Sequence, residues 1–269
     1  MREEFVNIWI HGDEQLEKIL AGKITLREKL HHWPLSYVEK ITLNNNTQIV
    51  YKSQRSDASV EKDFYSKIKM PFLLSPMYSE TYMNCDIMIL PYANYPSLGV
   101  VSEKELEELV LSISSMIQNI TDMPVFFDLS SIEKLIKIIE DVCVVFEDRN
   151  EAPNIAVLKK WIEEKVAACY KNNTIGYVHG DLTASNILME NNTPCYILDW
   201  QRPMIAPLIL ENALAFRLAG YDAIKRYGDF GLLALVCHFI WYSYACIKFI
   251  PFVFRIAQKL LLEFVSLVK

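Results

Sequence analysis

Glycine is scarce in this chain: eight in 269 residues, and none between Gly22 and Gly99. That gap excludes a Gly-x-Gly-x-x-Gly loop from the N-terminal third, because glycine is what lets successive backbone amides wrap closely round a phosphate. Proline is sparse too, at 11 residues, and no repeat or low-complexity stretch is present, which argues against disorder. The six cysteines, Cys85, Cys143, Cys169, Cys195, Cys237 and Cys246, lack Cys-x-x-Cys spacing and fall mostly on apolar faces. They read as reduced core residues of a cytoplasmic protein. Positive charge is in deficit, with 27 Lys and Arg against 33 Asp and Glu and a net charge of -6; a nucleic-acid surface wants the opposite balance. The start, Met1-Arg2-Glu3-Glu4-Phe5, has no cationic segment leading into an apolar run, so no secretory signal is expected. Residues 232–247 come closest to a membrane span, but the sixteen residues include His238 and Ser243 and stop at Lys248. A bilayer needs roughly 20 apolar residues, so a buried helix is expected and no membrane partner.

What is present is enough apolar material, 52% of the chain, for one large core or two adjoining ones. Toward the C-terminus it recurs at three- and four-residue steps. Leu106, Leu109, Val110, Ile113, Met116, Ile117 and Ile120 form one such stripe, Ile132, Leu135, Ile136, Ile139, Val142, Cys143 and Phe146 a second, and Val157, Leu158, Trp161, Ile162, Val166 and Cys169 a third, all predicting core helices. Two or three further helices follow Glu211, interrupted by Gly220, Gly228-Asp229 and Pro251. Earlier the period is two. Residues 37–43, the turn Asn44-Asn45-Asn46 and residues 47–52 read as a hairpin, and residues 81–83 and 87–90 as two more strands.

The chemistry concentrates in His179-Gly180-Asp181-Leu182-Thr183-Ala184-Ser185-Asn186, followed thirteen residues later by Asp199 in Ile197-Leu198-Asp199-Trp200. In a phosphoryl-transfer loop of the form His-Arg-Asp-x-x-x-x-Asn, the Asp takes the proton of the substrate hydroxyl, the Asn binds metal, and a later Asp holds Mg2+ against the nucleotide phosphates. His179, Asp181 and Asn186 have that spacing, with Gly180 in place of Arg. Residues 187–189 and 195–198, separated by the turn signal Glu190-Asn191-Asn192-Thr193-Pro194, read as a hairpin. Pairing those strands brings the hard oxygen donors Asn186 and Asp199 to one end, with Asp181 on the loop before it. Each half alone is an ordinary turn or strand end; the ordered conjunction is what carries the reading.

His-Gly-Asp-Leu-x-x-x-Asn-Ile-Leu and Ile-Leu-Asp-Trp resemble the aminoglycoside phosphotransferase and choline kinase-like group of small-molecule kinases. Arg202-Pro203-Met204-Ile205-Ala206-Pro207, with Glu211 following, resembles the stretch after the metal-binding Asp in that group, which more often has Asp where Glu211 stands. The resemblance implies an α+β, protein-kinase-like fold of two lobes: a small antiparallel-sheet lobe over 1–93 that binds nucleotide, and a mainly helical lobe over 94–269 with the catalytic loop and the substrate site.

It further implies a strand lysine for the phosphates and an acid on the next helix, which Lys52 and Glu61 supply, with Asp63 the alternative acid. The adenine ring would bond to backbone in Pro91-Tyr92-Ala93-Asn94. Proline has no N–H, so Tyr92 and Ala93 are the donors expected there. The phosphate connection would fall at residues 30–36, where a turn around Pro34 and Ser36 replaces glycines; His31 and His32 in it are expected to be simply exposed. The implied activity is Mg2+-dependent transfer of the terminal phosphate of ATP or GTP to a small-molecule hydroxyl. His179 braces the loop. Glu147, Asp148, Glu211, Asp222 and Asp229 are acids that could meet a cationic acceptor. Two alternatives stand beside this: a kinase fold that binds without transferring, to which the missing glycines and Gln201 lend room, and a metal-dependent phosphohydrolase on Asp181 and Asp199, which would not need Lys52 or the small-lobe strands.

Overall fold

The computed structural model describes residues 8–149, 151–249 and 251–268. The opening stretch read for a signal lies outside them, as do the side chains of His32, Glu147 and Asp148. Two compact units result: one runs to Ser97 and takes in Ile187–Gln201, the other comprises Leu98–Asn186 and Arg202–Lys269.

In the first unit, helix α1 (Asp13–Leu20) precedes strands β1 (Ile24–Trp33), β2 (Ser36–Leu43) and β3 (Gln48–Arg55); helix α2 (Glu61–Lys67) and strands β4 (Tyr78–Tyr82) and β5 (Cys85–Pro91) follow. The strands form one antiparallel sheet in the order β1-β2-β3-β5-β4. Alternation along the strands puts Ile41, Leu43, Ile49, Tyr51, Ile87 and Ile89 on one face, where Leu16 of α1 packs onto them. Lys52, the next residue after Tyr51, therefore points to the opposite face.

In the second unit, α3 (Glu103–Ile117) opens on a capping box in which Ser102 and Glu105 satisfy each other's amides. It is followed by β6 (Phe127–Asp128), α4 (Ile132–Cys143), α5 (Ala152–Trp161), α6 (Ala167–Lys171) and β7 (Ile175–Val178). Between α5 and α6 the chain makes a π-helical turn over Ile162–Val166, so the third stripe is a single helical path. The chain then enters the first unit as β8 (Ile187–Glu190) and β9 (Thr193–Ile197), and returns as β10 (Met204–Pro207), α7 (Ile209–Leu218), α8 (Ala223–Tyr227), α9 (Asp229–Lys248) and α10 (Phe254–Val268). Strand β10 lies between β6 and β7, parallel to the first and antiparallel to the second. The buried helix expected over 232–247 is α9, which at twenty residues is long enough to cross a membrane, with 72% of its apolar window buried. It packs against α10, α7, α8 and α4. All six cysteines are free, five of them buried.

Three sequence expectations shift. The lobe division placed at 93/94 falls at Ser97, and Ile187–Gln201 leaves the helical part: Met189 N–H donates to Pro96 O, Ile197 N–H to Phe72 O, and Trp200 stacks on Phe64. The expected phosphate loop at 30–36 is mostly strand, with Trp33 pairing Ser36 across a two-residue Pro34-Leu35 turn. Lys52 is not at the end of its strand, because β3 continues to Arg55.

Candidate active site

Lys52 is only 7% exposed. Its Nζ lies 2.5 Å from Glu61 Oε2 and 2.7 Å from Asp199 Oδ1. Burial by itself would push the ammonium down; the Asp199 and Glu61 carboxylates outweigh it and hold Lys52 above its ordinary value. Burial pushes the Glu61 carboxyl up, against the pull of Lys52. Asp63, the other acid considered, is exposed.

Local chemistry explains how three distant residues meet. Glu61 is the first residue of α2, whose start is tied down twice: Glu61 N–H donates to Ser59 Oγ at 3.0 Å, and Val60 N–H donates to the carbonyl of Gln201 at 3.0 Å. From the other side, Trp200 is wholly buried, lies flat on Phe64 of α2 at 4.3 Å and 9°, and donates its Nε1–H to Ile197 O. The ring next to Asp199 thus locks the helix that carries Glu61. Asp199 sits at φ +66, a left-handed bend that Asp tolerates better than most side chains. Asn191 and Asn192, also left-handed, close the β8–β9 hairpin in a tighter turn than the five residues expected, so Thr193 and Pro194 join the strand.

In the second unit the loop from His179 to Asn186 is held from beneath. Glu211, 1% exposed, accepts the N–H of His179 at 2.5 Å through Oε2 and that of Gly180 at 3.0 Å through Oε1. Burial raises its carboxyl to about 7, although the two amides pull the other way. Glu211 is therefore a loop anchor, and the expectation that it could meet a cationic acceptor is corrected, because both oxygens are spent on backbone. His179 is buried, and its Nδ1 accepts the N–H of Asp181 at 3.2 Å. Gly180 stands at φ +81, where a side chain in the place of the usual Arg is strained, and a Cβ there would lie 2.8 Å from Met204 Cε, the flexible end of a side chain that would have to move aside. Asn186 donates Nδ2–H to Asp181 O at 2.8 Å, which leaves Oδ1 as its donor atom for a cation. Asp222 caps α8 by accepting from Lys225 N, and Asp229 is exposed.

The structure thus brings Lys52, Glu61 and Asp199 together in the first unit, and Asp181 and Asn186 in the second. Ile187 pairs with Ile197, so the chain enters the hairpin from Asn186 and leaves it toward Asp199 at the same end. Their carboxylate and amide oxygens are the hard donors that Mg2+ takes; among the described residues no cluster of three or more His, Cys, Asp or Glu could hold a metal. Ser36 is 3% exposed within β2. Tyr92 spends its N–H on Gln48 O at 3.2 Å, which removes it as an adenine donor. Arg202 escaped the sequence reading: its Nη2 is 3.6 Å from Asp181 Oδ2, and no spacing rule links an arginine to an acid 21 positions earlier.

No protein-family model matches the chain, and no curated protein does. Solved structures do. The apoenzyme of macrolide 2'-phosphotransferase MphH from Brachybacterium faecium is 12% identical, with 92% of this chain and 95% of that one covered at a TM-score of 0.62. A streptomycin–ATP ternary complex of APH(2")-IIa is 16% identical, with 95% and 97% covered and a TM-score of 0.59. A putative fructosamine-3-kinase from Thermobifida fusca is 10% identical, with 95% and 97% covered and a TM-score of 0.60. The chain has the protein-kinase-like fold shared by these small-molecule phosphotransferases.

Proposed function

We propose that the protein transfers the terminal phosphate of ATP or GTP to a hydroxyl of a small molecule. The observation that carries this reading is the buried Lys52 clasped by Glu61 and Asp199. Burying a lysine costs several kcal/mol unless it is paired, and one held between two acids is poised to hand its charge to a nucleotide phosphate. The motif assigns the rest. Asp181 orients the acceptor hydroxyl and takes its proton as the oxygen bonds to phosphorus. Asp199 and Asn186 are the donors for Mg2+, which when bound neutralises phosphate charge. With the Tyr92 N–H spent on Gln48 O, Ala93 is the remaining hinge donor for adenine.

Asp181→Ala is expected to lower kcat by at least about a thousandfold while leaving the affinity for MgATP within about twofold. Nucleotide consumption with acceptor and nucleotide titration of the variant check this; wild-type turnover would sink the role of Asp181.

A kinase fold that binds without transferring has one observation in its favour, the two-residue Pro34-Leu35 turn between β1 and β2. It offers few backbone amides to a phosphate. Thermal unfolding with MgATP and MgGTP separates the readings, because a ligand at 100 times its Kd stabilises by about 2.7 kcal/mol.

A further inference from the structure

Next to Asp181 stands a guanidinium backed by aromatic rings, where an acceptor site for a polycation would call for carboxylates. Arg202 Nη2 is 3.6 Å from Asp181 Oδ2, and the guanidinium carbon lies 3.9 Å over the ring of Trp241. Trp241 lies nearly parallel to Tyr244 at 6.2 Å and 27°, and Phe126 meets both rings edge-on, at 5.8 and 5.4 Å. All three rings are half-buried, so each keeps some exposed surface, and one face of Trp241 carries the guanidinium that reaches Asp181. Two arginines border this wall, Arg202 and Arg217, the latter 3.3 Å from His238 Nδ1. His238, one turn before Trp241 on α9, is pushed down to about 4 by burial and by Arg217 and Arg202. Of the acids nearby, Glu211 is engaged on the loop amides, Glu263 on Arg217 at 3.1 Å, and Asp181 itself faces Arg202.

We infer that the acceptor is an uncharged or anionic ring compound, such as a glycoside, that packs against the exposed part of Trp241 and turns a hydroxyl to Asp181, while Arg202 repels cationic acceptors. This rests on the phosphotransferase reading. In the reaction the acceptor oxygen forms the new bond to phosphorus, the bond from phosphorus to the nucleoside diphosphate breaks, and the hydroxyl proton passes to Asp181. An aromatic face takes the apolar face of a ring at small conformational cost, and a like charge beside the reacting hydroxyl discriminates by repulsion.

The test follows nucleotide consumption and thermal shift with phenyl β-glucoside and phenyl β-glucuronide against kanamycin and choline, each with MgATP or MgGTP. The expected result is a kcat/KM at least about tenfold higher for a glycoside than for either cation, with KM raised about tenfold by Trp241→Ala and largely restored by Trp241→Phe. Trp241→Leu, apolar but unable to stack, replaces the alanine variant if that one does not fold. Preference for kanamycin or choline, glycoside turnover indifferent to Trp241, or nucleotide binding with no glycoside bound or consumed overturns the inference and leaves the phosphotransferase reading standing. No stabilisation by either nucleotide overturns both.

Discussion

Gly180 shows how one residue sets the geometry of the loop proposed to be catalytic. At φ +81 an L side chain costs about 1–2 kcal/mol, and the flexible end of Met204 would have to shift to admit a Cβ. Gly180→Ala is therefore expected to lower the unfolding free energy by about 2 kcal/mol and to reduce kcat, since the Gly180 and His179 amides lose their alignment on Glu211. Urea unfolding and turnover measure the two effects; an alanine variant as stable as the parent would contradict this loop geometry. The motif from His179 to Asn186 was legible in the chain because its spacing is local. The anchoring by Glu211 was not, because a carboxylate 31 and 32 positions downstream carries no mark that its oxygens face those amides.

Helix α2 and the β8–β9 hairpin form a coupled pair at the scale of elements. The helix is only seven residues long and has no side-chain cap on its own N-cap residue, too short to persist by itself in water. Trp200, flat on Phe64, is what holds it to the strand end that carries Asp199. Removing a buried aromatic of this size costs about 3–5 kcal/mol. Trp200→Ala should lose that stability and also, on the proposed phosphotransferase function, the thermal shift expected with MgATP, because Glu61 and Asp199 no longer close on Lys52. Trp200→Phe should keep most of both, and an alanine variant with an undiminished shift would mean the stack does not position the acids. The hairpins and long helices were readable from period and turn residues. Strand β1 was not: Leu26 and Leu30 face solvent at 51% and 50% exposure, while Arg27 turns inward to the buried Glu39 at 3.0 Å, inverting the usual pattern. The strands β6, β7 and β10, of two to four residues each, are too short to show a period.

Stability against pH belongs to the whole molecule, and two buried groups set opposing slopes. Glu211 ionises at about 7 when folded against an ordinary value of 4.5, so between the two the native chain keeps a proton that the unfolded chain has lost, and stability falls as pH rises. His238, pushed from 6.5 to about 4, does the reverse, and its contribution rises with pH over that interval. Each full swing is worth roughly 3 kcal/mol, so the parent profile should be shallow where the windows overlap. Glu211→Gln should expose the rising limb and His238→Gln the falling one, both measured by urea unfolding from about pH 4.5 to 7; two variants with the same slope would contradict the assignment. The sequence by itself determined the loop from His179 to Asn186, the following hairpin and the core helices, because spacing and period are properties of neighbouring residues. Only the tertiary structure decided that Lys52 closes on an acid 147 positions away, that the hairpin belongs to the first unit, and that Arg202 rather than a carboxylate stands beside Asp181. Those are meetings of distant segments, settled by burial and packing, about which local pattern carries no information.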